Sequence, residues 1–172
     1  MKQDLPLTAQ DRLAIADALY RFAAGQDLRD PALLSSALSR DAELDFVQPA
    51  RRLGAQIAPY RGRVEILGAL RRALAAADTT HTVSALRIEP DGAAASLFAL
   101  AEVQHAARAD RSRRLLLKSF YWLTLERAGA RWTIRRMRVN SAWHLGDPGV
   151  LFPKPAARFA SSRQRRSACP AA

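Results

Sequence analysis

Thiols are nearly absent from this sequence, which has one cysteine, Cys169, among its 172 residues. A single cysteine cannot form a disulfide within the chain, and it disfavours a thiolate metal site. The sequence also has no apolar stretch that approaches the length of a membrane span, and its N-terminal segment MKQDLPLTAQ lacks the apolar run of a signal peptide. These absences predict a cytoplasmic protein without a membrane partner.

Acidic residues are too few to balance the basic ones, and the formal net charge is +11. Residues 154–172 contribute five basic residues and no acidic one, and residues 108–114 (RADRSRR) contribute four more arginines. The aromatic residues mostly lie in apolar runs and are not interleaved with arginines, as a base-stacking surface would require. We therefore interpret the basic residues as a solvated tail and a solvated loop, and nucleic acid is the least favoured partner.

The remaining composition is that of one globular domain with a sizeable core, since 49% of the residues are hydrophobic. We place this domain at residues 1–153. Residues 154–172 have the composition of a disordered tail. There is no internal repeat and no second domain.

The N-terminal third of the domain has the periodicity of helices. Thr8 is a good N-cap, and Asp11 lies three residues later, where a capping box has an acid. The stripe expected to face the core consists of Leu13, Ala16, Tyr20 and Ala23. The next position on this stripe is Asp27, and a carboxylate is costly to bury without a partner. Asp27 is therefore either at a helix end in water or directed into a polar pocket.

The rest of the chain divides into short helices and then long strands. Asp30 and Pro31 predict the start of a second helix that ends near Ser39. Residues 41–47 alternate like a half-buried strand, and residues 48–62 predict a loop with a short extended piece at its end. Residues 63–76 return to helical spacing. Four long extended segments separated by turns follow from residue 79. This order predicts an α+β fold in which a curved antiparallel sheet closes over three N-terminal helices and leaves a cavity.

Strand parity puts further polar residues on apolar faces, because side chains alternate with period two along a strand. His105 ends an apolar row formed by Leu97, Ala99, Ala101 and Val103. His81 has the parity of Val83 and Ala85, and Tyr121 that of Leu117, Leu123 and Leu125. Taken singly, such a histidine is more often a core or rim residue than a catalyst. Two histidines and the acid Asp27 that all fall on expected apolar faces predict a chemical site.

A carboxylate beside an imidazole fixes its tautomer and stabilises the imidazolium, so the histidine can take a proton near neutral pH. A second histidine could return that proton to a leaving hydroxyl or an enolate oxygen. This pairing suits proton abstraction next to a carbonyl, followed by elimination, isomerisation or ring closure, and needs no cofactor. A metal held by two histidines and a carboxylate is the less favoured alternative, because the residues lie far apart in sequence.

Several segments in order also resemble the SnoaL-like branch of the nuclear transport factor 2 superfamily, over residues 8–152. The segments are LYRFAAGQDLRDPALL, DAELDF, PYRGRVEI, TTHTV, EVQH, RWTIRRMRV and GDPGVL. The resemblance implies a cone-shaped α+β barrel with a deep pocket between helices and sheet, and a homodimer that pairs through the sheet. The superfamily includes scytalone dehydratases, polyketide cyclases, ketosteroid isomerases, the β subunits of aromatic-ring dioxygenases and members without catalysis.

The resemblance to scytalone dehydratases implies a catalytic acid at Asp27 and catalytic histidines at His81 and His105. Two tyrosines of that family, whose hydroxyls help to polarise the substrate carbonyl through a water, are replaced here by Gln26 and Phe46. The residues that would transfer protons, Asp27, His81 and His105, are therefore kept, whereas the tyrosines that would polarise the carbonyl are not. This departure puts dehydration of the scytalone type in doubt and leaves acid–base chemistry in place.

We therefore predict a cofactor-free acid–base enzyme of dehydratase, isomerase or cyclase type. Its substrate would be a hydrophobic, oxygenated small molecule such as a polyketide, aromatic or steroid-like compound. One histidine would be the base with Asp27 as its orienter, and the other histidine would be the acid. The residues expected to line the pocket are Tyr20, Gln26, Phe46, Tyr121 and Trp143. The alternative is a non-catalytic small-molecule-binding protein, or a structural subunit like a dioxygenase β chain.

Overall fold

The computed structural model describes residues 6–152, so the expected tail at 154–172 lies outside the described residues. The helices are α1 (Ala9–Asp27), α2 (Pro31–Ala37), α3 (Val47–Arg52) and α4 (Arg63–Ala73), and a 3-10 turn spans Pro148–Val150. The strands are β1 (Leu38–Asp45), β2 (Tyr60–Arg61), β3 (Ala77–Asp91), β4 (Ala94–Ala107), β5 (Arg114–Ala128) and β6 (Arg131–Gly146). No helix in this part of the chain has the length and apolar character needed to cross a membrane.

All six strands belong to one curved sheet in the order β2-β1-β6-β5-β4-β3, with β2 and β3 as free edges. The pairing of β1 with β6 is parallel, and every other pairing is antiparallel. The core lies between the inner face of this sheet and the helices, with Ile15, Leu19, Ile66, Leu97 and Leu125 among its fully buried side chains. The predicted α+β class and the enclosing sheet are confirmed.

Strand parity holds along β4 and β5 and fails in β3. The β4 row from Leu97 to His105 is buried at every second residue, as predicted. In β3, the register with β4 shifts between Ser84 and Arg87, and Ala85 has a φ of 53°. This bulge adds a residue to β3, so Leu86 packs against the core where regular alternation would have placed Ala85.

The stripe predicted for the buried face of α1 was wrong at Leu13 and Tyr20, whereas Ala23 on that stripe is buried. Leu13 is 68% exposed and Tyr20 is 48% exposed. The face that packs on the core carries Ile15, Leu19 and Phe22, at spacings of four and three. Both stripes have helical period, and the second is buried because it removes more apolar surface from water. The predicted capping box of Thr8 is confirmed.

Residues 47–52 form the helix α3, where the sequence predicted a loop, and β1 begins earlier than predicted, at Leu38. Pro49 lies in the first turn of α3, where its missing N–H removes no helical hydrogen bond. The Gln48 side chain accepts a hydrogen bond from the backbone N–H of Ser141 at 2.7 Å and donates one to its carbonyl at 3.4 Å. This contact with β6 fixes a helix that is too short to be stable alone.

Close packing between α1 and α2 determines where α1 ends. Asp30 caps α2 by accepting hydrogen bonds from the N–H groups of Ala32 and Leu33, both at 2.9 Å. Gly25 lies directly against α2, and a Cβ built on it would be 2.6 Å from the backbone nitrogen of Leu34. Only glycine permits this approach, and the approach holds the last turn of α1 against the sheet.

We expect Gly25→Ala to lower the free energy of unfolding by about 1–3 kcal/mol, because the added methyl forces α1 and α2 apart. Urea unfolding monitored by circular dichroism measures the loss. The matched control is Gly68→Ala in α4, where the added Cβ meets only the flexible end of Arg72 at 3.3 Å. That control should gain about 1 kcal/mol from helix propensity. Equal effects of the two substitutions would contradict the packing argument.

Candidate active site

Asp27 is the last residue of α1, and its carboxylate receives three hydrogen bonds from β3. The ring Nδ1 of His81 lies 2.6 Å from Oδ1, and the backbone N–H of His81 donates to Oδ2 at 2.7 Å. The hydroxyl of Thr79 donates to Oδ1 at 2.9 Å. The His81 side chain is 5% exposed and that of Asp27 is 21% exposed. The end of the helix and the start of the strand are thus joined through one carboxylate.

This geometry fixes the chemical state of both side chains. Burial raises the pKa of Asp27, but the hydrogen bonds and charge of His81 and the bond from Thr79 outweigh it and hold the pKa below its usual range. A carboxylate facing Nδ1 keeps the imidazole proton on that nitrogen, so the lone pair of His81 is on Nε2. The arrangement is that of a general base with an orienting acid behind it.

His105 is close to this pair and has different chemistry. Thr79 and His81 pair across the β3–β4 ladder with His105 and Val103, so the two histidines are diagonal neighbours on one face. His105 is 5% exposed, and its Nδ1 lies 3.3 Å from the carbonyl oxygen of Leu115. Burial is the main cause that lowers the pKa of His105 to about 4. At neutral pH its ring is therefore uncharged, with Nδ1–H donating to the carbonyl and no proton on Nε2, and this state does not suit the predicted acid role.

Tyr121 supplies a proton donor on the same face. Its side chain is 4% exposed, and its hydroxyl makes no hydrogen bond to another residue within 6–152. Burial and the negative charge of Asp27 raise the pKa of the Tyr121 phenol. The phenol therefore keeps its proton at neutral pH and is free to donate it to a hydrogen bond.

A cavity of about 100 Å³ lies between the helices and the sheet, in the position that the family resemblance implied. Both histidines line it, whereas Asp27 stands behind His81 outside the lining. Its other polar lining residues are Gln26, Tyr60, Ser119 and Tyr121. The remaining lining is apolar, and no carboxylate, lysine or arginine of the described chain is part of it.

Three of the five residues predicted to line the pocket do so, namely Gln26, Phe46 and Tyr121. Tyr20 does not, because it lies on the solvent-facing side of α1. Trp143 is 49% exposed on the outer face of the sheet. The register between β5 and β6 shifts there, since Ser119 pairs with Ser141 but the preceding Lys118 pairs with Trp143. Ala142 is the extra residue, and it turns Trp143 outward.

The sequence analysis missed Thr79 and Ser119. Thr79 lies two residues before His81 on the same strand face, so parity alone could have found it. Ser119 has the parity of Tyr121 and could have been found in the same way. Leu151 and Phe152, which close one side of the cavity, follow the last strand and carry no pattern that would place them there.

The described part of the chain has no ligand set for the metal that the sequence left as an alternative. Within residues 6–152, no group of three or more histidine, cysteine, aspartate or glutamate side chains is arranged to hold an ion. Instead, each candidate histidine uses one ring nitrogen in a contact within the protein, His81 with Asp27 and His105 with Leu115.

The curved, unclosed sheet that encloses a cavity with its helices is the architecture of the nuclear transport factor 2 superfamily. Residues 7–138 match the family model of the SnoaL-like domain. The chain therefore belongs to the SnoaL-like family, as the resemblance indicated. A search of the curated proteins found no match.

Three solved structures illustrate the shared fold. A candidate aromatic ring hydroxylase from Novosphingobium aromaticivorans DSM has a TM-score of 0.74 at 18% identity, over 85% of this chain and 99% of its own. A candidate scytalone dehydratase from Novosphingobium aromaticivorans DSM 12444 has a TM-score of 0.69 at 16% identity, over 79% and 87%. The hexachlorocyclohexane dehydrochlorinase LinA-type3 from Novosphingobium barchaimii LL02 has 0.66 at 20%, over 84% and 94%. At these identities the likeness establishes the fold alone.

Proposed function

We propose that this protein is a cofactor-free acid–base enzyme whose first step removes a proton from carbon, with His81 as the general base. The observation that carries the proposal is the hydrogen bond of His81, in the wall of an apolar cavity, to the half-buried carboxylate of Asp27 behind it. Nε2 of His81 takes the proton, and the negative charge of Asp27 stabilises the imidazolium that forms. Tyr121 donates a hydrogen bond to the substrate oxygen that gains charge.

The step that follows decides the reaction type. When a leaving group lies on the adjacent carbon, the electron pair of the broken C–H bond forms a double bond and the group departs, which is elimination. When the proton returns to another carbon, the reaction is isomerisation. The names of two structural neighbours, a candidate dehydratase and a dehydrochlorinase, support elimination.

The cavity indicates a neutral and compact substrate. No charged side chain from residues 6–152 lines it, and its volume is about 100 Å³. For comparison, an apolar protein cavity of about 150 Å³ binds benzene. The cavity is smaller than that one, so a single small ring without bulky substituents suits it better than a steroid-like molecule. A larger polyketide would require Leu151 and Phe152 to move away from the cavity.

The test is proton exchange at carbon. Small cyclic ketones and β-hydroxy or β-halo ring compounds are incubated with the protein in deuterated water and followed by NMR and mass spectrometry. We expect deuterium uptake or elimination with the wild-type protein and neither with His81→Gln. If none of these compounds is altered, yet one binds in the cavity, the non-catalytic binding protein becomes the better description.

The outer face of the sheet supports the proposal of a homodimer. It carries five large, exposed apolar side chains on adjacent strands: Leu100, Phe120, Trp122, Trp143 and Leu145. Phe98 stacks on Phe120 and its ring lies 4.6 Å from that of Trp122, so the aromatic part of this face is contiguous. A contiguous apolar patch indicates an interaction site. We expect Trp122→Glu to convert a dimer into a monomer in sedimentation velocity, while Leu13→Glu on exposed α1 leaves it a dimer. A wild-type protein that stays monomeric at every concentration would contradict this proposal.

The basic loop gives no support to nucleic-acid binding, because acidic residues already neutralise most of it. Arg108 and Arg111 both bind the carboxylate of Asp78, at 2.8 and 2.7 Å. Arg113 binds Asp147 at 2.8 Å. Phosphate contacts would have to compete with these ion pairs.

A further inference from the structure

A second concave surface lies between α1, α2 and α4, on the outer side of the helices. We name it the helix groove. It has a volume of about 640 Å³ and an apolar floor that includes Leu34, Leu67 and Leu70. Three arginines also line it: Arg29, Arg71 and Arg108. No acidic side chain of the described chain lines this groove, so the charges in its lining are all positive.

Two of these charges are not neutralised. Arg71 is exposed and Arg29 is half-buried, and neither forms an ion pair with a residue in the range 6–152. Arg108 has a carboxylate partner in Asp78, but it shares that partner with Arg111. Arg29 and Arg71 therefore give the groove positive charge that no ion pair with a described residue neutralises, and this charge attracts an anion.

Arg29 is held in position in a way that solvated surface arginines are not. It lies in the turn between α1 and α2 with a φ of 57°, a conformation that is uncommon for residues other than glycine. Its guanidinium donates a hydrogen bond to the carbonyl of Ala77. Burial and the charge of Arg108 lower the pKa of Arg29, although Asp78 and Asp27 oppose this effect. An anion in the groove would relieve both the desolvation and the repulsion.

We infer that the helix groove binds an apolar carboxylic acid in its ionised form. The head group would bind Arg29 and Arg71, and the hydrocarbon part would lie along the leucines. The planar guanidinium matches a carboxylate with two parallel hydrogen bonds. The apolar floor of the groove favours an amphiphile over a small free ion. Leu34, Leu67 and Leu70 can pack against a hydrocarbon chain, but they offer no polar contact to a small anion.

This site is distinct from the acid–base cavity and does not depend on the proposed function. The two share Gln26, Leu70 and Leu74 as walls, so one layer of side chains separates them. His81 and Tyr121 line only the cavity, whereas Arg71 and Val64 line only the groove. Substitutions can therefore affect one site without touching the other.

Isothermal titration with decanoate tests the inference. We expect saturable binding that Arg71→Gln weakens about tenfold, which corresponds to the loss of about 1.4 kcal/mol. The matched control is Arg72→Gln, the next residue of α4, which carries the same charge but does not line the groove. Val64 is 84% exposed, so Val64→Glu should fold normally and abolish binding by placing a negative charge at the groove. His81→Gln should bind decanoate like the wild type.

Several results would overturn the inference. One is binding of decyltrimethylammonium as tightly as decanoate, because the head group would then play no part. A second is equal loss in Arg71→Gln and Arg72→Gln, which would indicate a general charge effect. A third is inorganic phosphate binding as tightly as decanoate, which would indicate a simple anion site. A fourth result combines two observations: the wild type binds no decanoate, and Val64→Glu loses the ability to form dimers or trimers. The groove would then be an interface with a second copy of this chain.

Discussion

Replacing Asp27 by asparagine is expected to lower kcat/KM by about 10²–10⁴-fold, the usual contribution of general acid–base catalysis, while the fold stays intact. All three groups that contact the carboxylate are donors: the His81 ring N–H, the His81 backbone N–H and the Thr79 hydroxyl. The NH₂ group of asparagine must face one of them. The group that faces the NH₂ must become an acceptor. The backbone N–H of His81 cannot do so, but the imidazole can, by moving its proton from Nδ1 to Nε2. The base would then have no lone pair directed at the cavity.

Nitrogen-15 NMR of the histidine rings distinguishes this explanation from a general loss of structure. We expect His81 of the wild type to carry its proton on Nδ1 in the neutral state, and that of Asp27→Asn to carry it on Nε2. Asp17→Asn is the matched control, because Asp17 is an exposed partner of Arg21 on the same helix. An unchanged His81 tautomer together with lost turnover would show that Asp27 acts in some other way than by positioning His81.

Local sequence patterns predicted the parts of this fold that depend on local physics. The capping box at Thr8, the start of α2 at Asp30 and the alternation along β4 and β5 all follow from short-range hydrogen bonding or side-chain direction. The two bulges, at Ala85 in β3 and at Ala142 in β6, do not follow from such local patterns. Ala85 has the parity of Val83, and Ala142 lies among the polar residues Asn140 and His144 of its own parity, so neither alanine marks a bulge. The shift becomes visible only in the pairing with the adjacent strand. Trp143 was placed in the pocket for this reason.

Asp27 lies beside His81 in the structure, although the helix stripe that first pointed to this residue was not the buried face of α1. The helix stripe that singled it out was wrong, because Leu13 and Tyr20 on the same stripe face solvent. Asp27 reaches the site because Gly25 lets α1 end against α2, next to the start of β3. The partner His81 is 54 residues away in sequence. No local pattern gives that distance, and the sequence left open whether Asp27 orients His81 or His105.

His105 shows that strand parity can predict which face a residue lies on but not its chemical role. Parity correctly placed it on the inner face of β4, but a face does not specify which group each ring nitrogen contacts. The carbonyl of Leu115 belongs to β5, and only the register between β4 and β5 brings it to Nδ1. With its pKa lowered to about 4, His105 is neutral above that pH. Its Nε2 can accept a hydrogen bond from a substrate hydroxyl, but it has no proton to return.

Tyr121 is therefore the residue we expect to act as the electrophile, and Tyr121→Phe should lower kcat by about 10²–10³-fold, the usual cost of removing one oxyanion donor. The substitution removes a single oxygen from a buried ring and should leave the fold unchanged. The developing negative charge on the substrate oxygen would then face the apolar lining and neutral His105, with no hydroxyl of Tyr121 to stabilise it. Because the bond strengthens as charge develops, the loss should appear in kcat and much less in KM.

Tyr60→Phe is the matched control, since Tyr60 also lines the cavity but lies at its rim in the two-residue strand β2. We expect it to change kcat by less than about tenfold, because a partly exposed hydroxyl can be replaced by water. The pKa of the Tyr121 phenol is raised, so its proton is retained throughout the neutral and mildly alkaline range. The wild-type rate should therefore show no alkaline loss from this group in that range. A Tyr121→Phe variant with normal kcat and a raised KM would reduce the hydroxyl to a binding contact, and the electrophile would then have to be sought at Ser119 or Gln26.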